Sequence, residues 1–519
     1  MGPAVYTVAD ILAASAARTP ARTAVIDGHT RISYGELNER ARRCASLLAR
    51  RVDPGDRVAI LLPRGVDALA VYFGAHLAGA VPVFVHDQLR PRQVAHIVAH
   101  AGARLVCTST RHHKLLRDID LPDAAIVNIS TLRESPLLTA VPRIGRDLAG
   151  LIYTSGSTGT AKGVAVTHDN LLAGAGIVAV YLHLESRDCT MAILPWSFDY
   201  GLNQVLATFA AGGSVVIQRS TFGPDICRTL AAADVTGLAG VPSLWVALTG
   251  SGSPFRQSRL PALRYITNSG GPLAPATIDK IRTAQPHLDI YLMYGLTEAF
   301  RSTYLDPAQV ADRPTSIGKA IPNTEVLVID DDGRPCPPGA VGELVHRGPT
   351  VAFGYWHDPD ATAAVFGPHP HQPAGFRDVG PAETVVYSGD YVKADTDGYL
   401  YYVGRRDELF KSRGIRVTTS EIEAEVRASG MVTEAVVAVT TGGPDPHLVA
   451  AVLLSGGATL GDLRAYCRDE LAPHMQPHEI VARDTMPTTS TGKTDRSAVR
   501  AHLTTQIATQ LTTAATVQP

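Results

Sequence analysis

Short apolar runs alternate with amphipathic segments through the first part of the chain. Residues 57–62 (RVAILL) are apolar over the length of a strand, residues 65–78 carry apolar positions at helical spacing, and residues 81–85 are apolar again. The alternation repeats at residues 92–101 and 103–108. Strand–helix–strand units at this spacing predict a parallel sheet covered by helices.

The pattern changes near residue 315. Before that point, further strand-like runs lie at residues 190–194, 214–218, 235–241 and 265–268. After it, short strand-like runs at 326–329, 342–346 and 399–403 are separated by Pro, Gly and Asp turns. We therefore expect a large N-terminal α/β domain of layered sheets over residues 1–406, with a small β-rich subdomain over about 315–406.

Residues 407–519 predict a small α+β domain, because strand-like and helix-like runs alternate again at the length of a compact domain. Its first helix is expected over residues 420–429, with Ser420 at the cap and Glu423 three residues on completing a capping box. The runs that follow are strand-like at 435–440 and 449–454 and helix-like at 461–471. Residues 506–519 are rich in Thr, Ala and Gln, which predicts a frayed end.

Composition and charge narrow the class of protein. A content of 45% hydrophobic and 18% charged residues is typical of a globular protein and argues against disorder. A net charge of −2 without any block of like charges excludes an electrostatic footprint for nucleic acid, and no apolar run approaches the roughly 18 residues that span a bilayer. The N-terminus lacks the pattern of a signal peptide, and the cysteines form no C-x-x-C pair. We therefore expect a cytoplasmic enzyme without a nucleic-acid or membrane partner.

Residues 153–164 (YTSGSTGTAKGV) have the composition of a phosphate-binding loop. Glycines allow backbone N–H groups to approach an anion, hydroxyls add donors, and Lys162 adds a positive charge. The segment is not a Walker A loop, because Ala161 stands five residues after Gly156 and Gly163 follows the lysine. A flexible Ser/Gly linker has a similar composition. The segment alone therefore suggests a nucleotide but identifies no reaction.

Four further motifs join this loop, and together they resemble those of the adenylate-forming superfamily. This superfamily comprises acyl-CoA and aryl-CoA synthetases, the adenylation domains of peptide synthetases, and luciferases. The motifs are Y-G-L-T-E at 294–298, Y-S-G-D at 387–390, G-R-R-D at 404–407 with Lys411 and Gly414, and T-G-K-T-D-R at 491–496. They stand in the family's order and spacing. The resemblance is closest to freestanding adenylation enzymes for amino acids of the β-amino-acid type, and it implies a mobile C-terminal domain.

The resemblance implies ATP and Mg²⁺ as cofactors and assigns roles to individual residues. Residues implied in ATP binding are Thr154, Ser155, Gly156, Ser157, Thr158, Gly159, Lys162, Gly270, Gly271, Tyr294, Asp390 and Arg405. The implied catalytic residues are Lys493, Thr297 and Glu298, of which Glu298 is also the Mg²⁺ ligand. Asp407 matches the hinge between the domains, and Lys411 and Gly414 would lie near a tunnel for the thiol.

Several of these residues have a plainer interpretation when taken singly. Tyr294 is then a core tyrosine at the end of a strand, Asp390 belongs to a structural salt bridge, and Lys493 is a solvated lysine in a polar loop. The pair Gly270 and Gly271 is then an ordinary turn. The surrounding motifs favour the functional interpretation in each case.

The acid substrate is expected to depend on Phe198, Asp199 and Arg301. Amino-acid-activating members of the family have Phe-Asp here, and the aspartate pairs with the substrate ammonium, whereas acyl- and aryl-CoA synthetases commonly have a histidine-containing segment. A carboxylate in an apolar pocket needs a cationic partner, and either a substrate ammonium or Arg301 would serve. Arg301 is in turn suited to binding a second carboxylate.

Together with Tyr200 and Ser269, Asp199 and Arg301 would line a pocket for an amino acid, with β-amino and aspartate-type dicarboxylic acids among the candidates. The alternative is an AMP-forming acyl- or aryl-CoA ligase. Because the ending T-D-R at 494–496 resembles peptide synthetases, the expected acceptor is the phosphopantetheine thiol of a separate carrier protein, with CoA as the alternative. A non-catalytic relative would have lost Lys493, Glu298 or Asp390, and all three are present. Formation of an amide or a diazo product from the adenylate, instead of a thioester, stays open.

Overall fold

The computed structural model describes residues 4–116, 119, 121, 124–129, 137–155, 161–371, 380, 382–406, 409–412, 415–440, 447–473, 475–488 and 494–515. The chain divides into two compact units. Unit 1 comprises Met1–Leu327 and Val345–Ser388, and unit 2 comprises Val328–Leu344 and Gly389–Pro519. The boundary therefore crosses strands of the region that the sequence predicts to be β-rich.

Unit 1 contains most of the regular structure. Its helices are α1 (Val8–Arg18), α2 (Tyr34–Leu48), α3 (Val66–Leu77), α4 (Pro91–Ala101), α5 (Thr110–Leu116), α6 (His168–Tyr181), α7 (Asp199–Ala210), α8 (Gly223–Ala232), α9 (Pro242–Thr249), α10 (Pro275–Ala284) and α11 (Pro359–Val365). Its strands up to the first unit boundary are β1 (Thr23–Asp27), β2 (Thr30–Ser33), β3 (Arg57–Leu61), β4 (Val81–Phe84), β5 (Ala103–Thr108), β6 (Ala125–Asn128), β7 (Leu148–Ser155), β8 (Ala161–Thr167), β9 (Cys189–Ala192), β10 (Ser214–Ile217), β11 (Gly237–Gly240), β12 (Tyr265–Asn268), β13 (Asp289–Leu296), β14 (Phe300–Leu305) and β15 (Lys319–Ala320).

The remaining elements follow in chain order. Strands β16 (Glu325–Ile329), β17 (Val341–Arg347) and β20 (Thr384–Ala394) each cross a unit boundary, while β18 (Gly354–Tyr355) and β19 (Phe366–Pro368) belong to unit 1. Unit 2 continues with β21 (Leu400–Arg405), β22 (Leu409–Ser412), β23 (Ile415–Thr418), α12 (Thr419–Ala428), β24 (Val432–Thr440), β25 (His447–Leu454), α13 (Leu460–Glu470), β26 (Glu479–Ala482) and α14 (Arg496–Ala515).

The largest sheet of unit 1 has the strand order β15-β14-β13-β12-β11-β9-β10-β1-β2. Neighbours from β1 to β13 in this order are parallel, and the outer pairs β1–β2, β13–β14 and β14–β15 are antiparallel. A second sheet, β4-β3-β5-β6, is parallel throughout, and a third, β18-β8-β7, is antiparallel. The layered α/β architecture predicted from the sequence is confirmed.

The βαβ units form where the apolar pattern predicts them. Strand β3 is buried along almost its whole length, as expected for a parallel strand with both faces covered. Helix α4 begins with Pro91 in its first turn and ends at Gly102, whose φ of +59° gives the left-handed cap that glycine adopts without a steric penalty. Strand β5 follows at once, so the loop is minimal and the two elements pack together. The main core joins α1, α2, α3 and α7 to the sheets.

Unit 2 contains the hairpin β22–β23 and the sheet β24-β25-β26, which packs with α12 and α14. The predicted start of the first helix is wrong by two residues. The cap is Thr418, whose hydroxyl accepts from the backbone N–H of Glu421, and Glu423 is fully buried. Thr418 with Glu421 and Ser420 with Glu423 both fit the capping-box pattern. Thr418, the last residue of β23, forms the cap. The predicted fraying from residue 506 also differs from the structure, in which α14 continues to Ala515.

The helices formed by the described residues include none that is long and apolar enough to cross a membrane.

Candidate active site

The loops after two neighbouring parallel strands carry several of the residues singled out in the sequence. Strands β11, β12 and β13 run parallel, so their carboxyl ends lie at one edge of the sheet. Ser269, Gly270 and Gly271 follow β12, and Thr297 and Glu298 follow β13. Ligands bind outside the carboxyl ends of the strands in open α/β sheets. This edge of unit 1 is therefore the candidate site.

Asp199 is half-buried and is the first residue of α7. Its carboxylate accepts a hydrogen bond from the hydroxyl of Thr297 at 3.5 Å. Burial raises the pKa of the Asp199 carboxyl, and the positive charge of Arg301 lowers it in part. A further cation beside Asp199 would therefore stabilise the ionised carboxylate.

Arg301, in β14, has only 2% of its surface exposed. Its Nη2 donates to Oδ1 of Asn203 at 3.1 Å, and its guanidinium carbon lies 4.8 Å from the ring centroids of both Tyr200 and Phe300. Within the part of the chain that the structure describes, Nε has no hydrogen-bond partner and no carboxylate forms an ion pair with the side chain. The internal pair between Asp199 and Arg301, one alternative from the sequence, is therefore not formed.

Tyr200 and Ser269 are fixed by the ends of the central strands. The Tyr200 hydroxyl donates to the carbonyl oxygen of Thr267 at 2.9 Å, and the backbone N–H of Ser269 donates to the carbonyl oxygen of Gly240 at 3.3 Å. The turn after Ser269 depends on Gly270, whose φ of +76° is strained for any residue with a Cβ. Ser269 is buried and lies between these contacts and the glycine turn.

Tyr294 lies near the end of β13 and stacks on the ring of His346, with 6.0 Å between centroids and 21° between planes. His346 is buried, and burial lowers its pKa to about 3, so it is neutral at physiological pH. Tyr294 itself is half-buried, whereas Tyr291 and Met293 before it are buried. This differs from the environment of a core tyrosine and is compatible with an aromatic platform for a planar base.

Thr297 and Glu298 form the turn between β13 and β14, and both are half-buried. The backbone carbonyl of Glu298 accepts from the N–H of Ala352 at 2.8 Å. Its carboxylate oxygen Oε1 accepts from the hydroxyl of Tyr355 at 2.5 Å. A partly exposed carboxylate held in a turn has the hard oxygen donors that suit Mg²⁺, so the residue present fits the metal that the sequence implies.

The phosphate-loop segment is the connection of a β-hairpin. Strands β7 and β8 pair antiparallel, with Tyr153 opposite Gly163, Thr154 opposite Lys162 and Ser155 opposite Ala161. The side chain of Ser155 and the predicted residues Gly156, Ser157, Thr158 and Gly159 lie outside the described part of the chain. The register places the two ends of the segment side by side in one sheet, and the phosphate-binding role stays a prediction.

Helix α4 contacts both strands of this hairpin. The Nδ1 atom of His100 lies 2.9 Å from the Tyr153 hydroxyl, and Nε2 of His96 lies 3.2 Å from the carbonyl oxygen of Ala161. On β8, the ammonium of Lys162 forms an ion pair with Asp358 at 3.5 Å and lies 5.3 Å from the ring centroid of Tyr355. The positive charge of Lys162 is thus held beside the loop by the segment 355–358.

In unit 2, strands β20 and β21 bring two predicted residues together. Asp390 and Arg405 are direct cross-strand partners, and Arg405 Nε lies 3.6 Å from Asp390 Oδ1. The Tyr402 hydroxyl lies 3.5 Å from the same oxygen. Asp390 is buried, whereas the Arg405 side chain is largely exposed. The pair can thus be a structural salt bridge or a ribose site, and its role in ATP binding stays a prediction.

The predicted catalytic lysine, Lys493, lies outside the described residues, as do Asp407, Gly414 and the side chain of Lys411. The described residues on either side of Lys493 nevertheless form hydrogen bonds and an ion pair, and we call the segment between them the lysine loop. Thr488 and Thr494 form a β-bridge, and the Thr494 hydroxyl donates to Glu434 at 3.1 Å. Arg496 forms an ion pair with the fully buried Glu423, whose Oε1 also accepts from the N–H of Val437 at 2.9 Å. The loop is therefore anchored on both sides.

Three residues that the structure connects to this chemistry are not predicted as site residues from the sequence. Asn203 holds Arg301, Tyr355 contacts both Glu298 and Lys162, and Glu423 anchors the lysine loop. Asn203 stands four residues after Asp199 on α7, and this spacing places them on one helix face. This spacing is the signal in the sequence from which Asn203 could be placed near the site. No local pattern marks Tyr355, and Glu423 was interpreted as a capping residue.

Comparison with known proteins gives matches over most of the chain. The family described as AMP-binding enzyme matches residues 12–356, and the family described as AMP-binding enzyme C-terminal domain matches residues 421–493. Surfactin synthase subunit 2 of Bacillus subtilis (strain 168) is 29% identical, over 95% of this chain and 14% of that protein. A dimodular nonribosomal peptide synthase of the same strain is 30% identical, over 95% of this chain and 21% of that protein. The chain thus spans a small part of these relatives.

Among solved structures, ATP-bound MatB from Rhodopseudomonas palustris is similar to this chain, with a TM-score of 0.84 and 25% identity. The similarity covers 96% of this chain and 99% of that one.

Proposed function

The chain belongs to the AMP-binding enzyme family, the adenylate-forming ligases, and on that premise we propose that it activates an amino acid bearing a second carboxylate. The acid, of the β-amino or aspartate type, would be condensed with ATP to an acyl-adenylate and pyrophosphate. The acyl group would then pass to the phosphopantetheine thiol of a carrier protein.

One observation carries the substrate part of this proposal. Asp199 and Arg301 are electrostatically coupled, but no ion pair joins them in the described part of the chain. Arg301 is buried and its described contacts are with uncharged groups, while burial raises the pKa of Asp199. A ligand with an ammonium for Asp199 and a carboxylate for Arg301 would compensate both charges.

In the first half-reaction, different residues of the chain would bind different parts of ATP. Tyr294 would lie against the adenine ring, and Asp390 with Arg405 would bind the ribose hydroxyls. Lys162 and the hydroxyls of residues 154–158 would bind the β- and γ-phosphates, and Thr297 would bind the α-phosphate. Gly270 and Gly271 would let the backbone approach the adenine edge. Mg²⁺, held by Glu298, would neutralise charge on the phosphates when bound.

The chemistry is a substitution at phosphorus followed by acyl transfer. A carboxylate oxygen of the acid bonds to the α-phosphorus as the bond to the departing pyrophosphate breaks, and Lys493 would stabilise the negative charge that concentrates there. Rotation about Asp407 would withdraw Lys493 and open the path beside Lys411 and Gly414. The thiol would then lose its proton to solvent, its sulfur would bond to the acyl carbon, and the bond from that carbon to the AMP oxygen would break, so that AMP leaves.

The acceptor is proposed from two observations. The segment T-D-R at 494–496 is similar to that of peptide synthetases, and one relative of the chain is a nonribosomal peptide synthase by name. Asp199 also supports one competing substrate class. If burial keeps the carboxyl protonated, an acyl or aryl acid without an ammonium group would fit beside it, and CoA would be the matching acceptor.

Acid-dependent exchange of labelled pyrophosphate into ATP tests the proposal. The panel should contain α-amino acids, β-amino acids, aspartate-type dicarboxylates, aryl acids and fatty acids. We expect the highest kcat/KM with an amino dicarboxylate, and preference for an aryl or fatty acid would overturn the substrate assignment. Mass spectrometry of a phosphopantetheinylated carrier and of CoA, each incubated with enzyme, ATP and the preferred acid, then identifies the acceptor. Acylation of CoA alone would overturn the carrier assignment.

A further inference from the structure

Tyr355 touches two residues to which the proposed function gives different tasks. Its hydroxyl donates to Oε1 of Glu298 at 2.5 Å, and its ring centroid lies 5.3 Å from the ammonium nitrogen of Lys162. A cation at this distance from an aromatic face is attracted to it. One side chain thus contacts both the proposed Mg²⁺ ligand and the proposed phosphate-binding lysine.

The main chain holds Tyr355 firmly against the strand that carries Lys162. Strand β18 pairs antiparallel with β8, placing Tyr355 opposite Val164. Backbone hydrogen bonds continue the pairing on either side, from Phe353 N–H to Ala165 O at 2.9 Å and from Trp356 N–H to Gly163 O at 2.8 Å. The position of the Tyr355 ring relative to Lys162 is therefore set by the ladder.

Two further contacts fix the side chain and its own backbone. The N–H of Tyr355 donates to the hydroxyl of Thr362 at 2.9 Å, and the ring meets the edge of Phe366 with 5.8 Å between centroids. Phe366 is buried, so the ring of Tyr355 packs on the core with its hydroxyl directed to Glu298.

The segment that leads into β18 also binds Glu298 through a backbone hydrogen bond. Ala352 N–H donates to the carbonyl oxygen of Glu298 at 2.8 Å. Asn170 on α6 donates through Nδ2 to the carbonyl oxygens of Pro349 and Val351, at 2.8 and 2.9 Å. Glu298 is thus fixed at its main chain and at Oε1. Among the described residues, Tyr355 is the one whose side chain forms a hydrogen bond with the Glu298 carboxylate, and that bond is to Oε1.

We propose that Tyr355 is a positioning residue that orients the Glu298 carboxylate for Mg²⁺ and couples it to Lys162. This inference rests on the proposed function, in which Glu298 holds the metal and Lys162 the phosphates. A hydrogen bond to one carboxylate oxygen restricts rotation and presents the second oxygen to a ligand. The ring steadies the lysine at the same time, so metal and phosphate contacts are assembled together.

Tyr355→Phe separates the two effects, because it removes the hydroxyl and keeps the ring beneath Lys162 and against Phe366. Isothermal titration with ATP, with and without Mg²⁺ and without acid substrate, measures binding alone. We expect ATP affinity without Mg²⁺ to be unchanged. The gain in affinity that Mg²⁺ provides should fall about 10-fold or more, the usual effect of losing a partner of a metal ligand. The Mg²⁺ concentration for half-maximal pyrophosphate exchange should rise correspondingly.

Two variants serve as references for this experiment. Tyr401→Phe removes a tyrosine hydroxyl from another carboxylate, Asp395 at 3.2 Å, and should leave the Mg²⁺ dependence unchanged. Tyr355→Leu also removes the ring and should weaken ATP binding even without Mg²⁺, since Lys162 loses its aromatic contact. Thermal melting of each variant shows whether the fold is kept.

The outcomes distinguish this inference from the proposed function itself. A folded Tyr355→Phe protein with the wild-type Mg²⁺ requirement would overturn the role of Tyr355. If Glu298→Gln also kept that requirement, the assignment of Glu298 as the metal ligand would fail instead. Absence of pyrophosphate exchange by the wild-type protein with every acid would reject the proposed function, while the binding measurement would still report on Tyr355.

Discussion

The guanidinium of Arg301 donates to the amide oxygen of Asn203 at 3.1 Å, one helical turn along α7 from Asp199. Asn203 is 3% exposed and Arg301 is 2% exposed, so the contact lies in the interior. The amide orients the guanidinium without neutralising it. A positively charged group is thus held in place, and in our proposal the substrate supplies the counter-charge.

Asn203→Asp is expected to convert Arg301 from a ligand-binding group into an internally paired one. The substitution is nearly isosteric and places a carboxylate 3.1 Å from the guanidinium. The second carboxylate of the substrate then meets a neutralised arginine, so kcat/KM for an amino dicarboxylate should fall about 10-fold or more, as for loss of a hydrogen bond to a charged group. Pyrophosphate exchange with a dicarboxylate and with its monocarboxylate analogue measures the change.

Arg301→Ala provides the matched comparison for this variant. It should lose the same preference for dicarboxylates, because both changes remove the positive charge that would meet the second carboxylate. Equal losses for the dicarboxylate and for its monocarboxylate analogue would mean that Arg301 supports the pocket without contacting the substrate.

Asp199→Asn should reduce kcat/KM for an amino acid by about 10- to 100-fold, since an amide cannot pair with the ammonium. The pH dependence of activity in the wild-type protein should also report whether Asp199 pairs with the ammonium. Burial raises the pKa of Asp199 above its ordinary value, and only the ionised form binds the ammonium. Activity should therefore fall as the pH drops through that raised pKa, and Asp199→Asn should lack this limb. Unchanged turnover in the variant would remove the amino-acid assignment.

Much of the fold of unit 1 could be predicted because the signal is local. Residues 103–108 and 265–268 are strands with the predicted bounds, and the elements between residues 57 and 101 begin and end within two residues of prediction. Apolar runs of strand length, punctuated by glycine and proline, leave few alternatives. The cap at Thr418 was missed because two overlapping patterns compete, and only the end of β23 selects between them.

A residue of the candidate site could be predicted from the sequence where it belongs to a motif. It could not be predicted where its place in the site depends on a tertiary contact. Thr297, Glu298 and Ser269 lie at the carboxyl edge of the parallel strands, next to the element that carries Arg301. The contact of Tyr355 with Glu298 joins residues on separate sheets, and neither neighbouring sequence reveals it. The sequence could also not show that Asp199 and Arg301 fail to pair, since that depends on where Asn203 holds the guanidinium.

Lys493→Ala should lower the rate of adenylation by about 10²–10³-fold, the usual effect of removing one preorganised contact with transition-state charge. Acyl transfer from a synthetic adenylate to the thiol should survive, because in the proposed mechanism the rotation about Asp407 withdraws the lysine before that half-reaction. Single-turnover measurements of each half-reaction test this. Equal losses in both would contradict the hinge about Asp407.

Glu423→Ala should destabilise unit 2 by about 1–3 kcal/mol, since it leaves the buried N–H of Val437 without its acceptor and removes the carboxylate that pairs with the partly exposed Arg496 and Arg500. Denaturant unfolding monitored by circular dichroism gives the change in the free energy of unfolding. Glu425→Ala, on an exposed position of the same helix, is the matched control and should change it little. A similar small change at Glu423 would show that its ion pairs do not anchor the loop.

His168 should make the protein less stable in mild acid. It is 3% exposed, and its Nδ1 accepts the backbone N–H of Val8 at 3.1 Å, which requires the neutral ring. Burial lowers the pKa of His168 to about 4 from its ordinary value of 6.5. Between these values the unfolded chain binds a proton that the folded chain does not, so stability is complete above pH 6.5 and falls by about 1.4 kcal/mol per pH unit below it.

Replacing His168 by glutamine tests this, because Gln keeps a hydrogen-bond acceptor but does not titrate. Urea unfolding between pH 7 and pH 5 should show a shallower loss of stability in His168→Gln than in the wild-type protein. The neighbouring His76 is also buried, with its ring centroid 5.1 Å from that of His168 and its pKa well below the ordinary value through burial, so part of the slope should remain. Parallel profiles would mean that His168 is protonated in the folded protein, and that α1 is held at Val8 by other contacts.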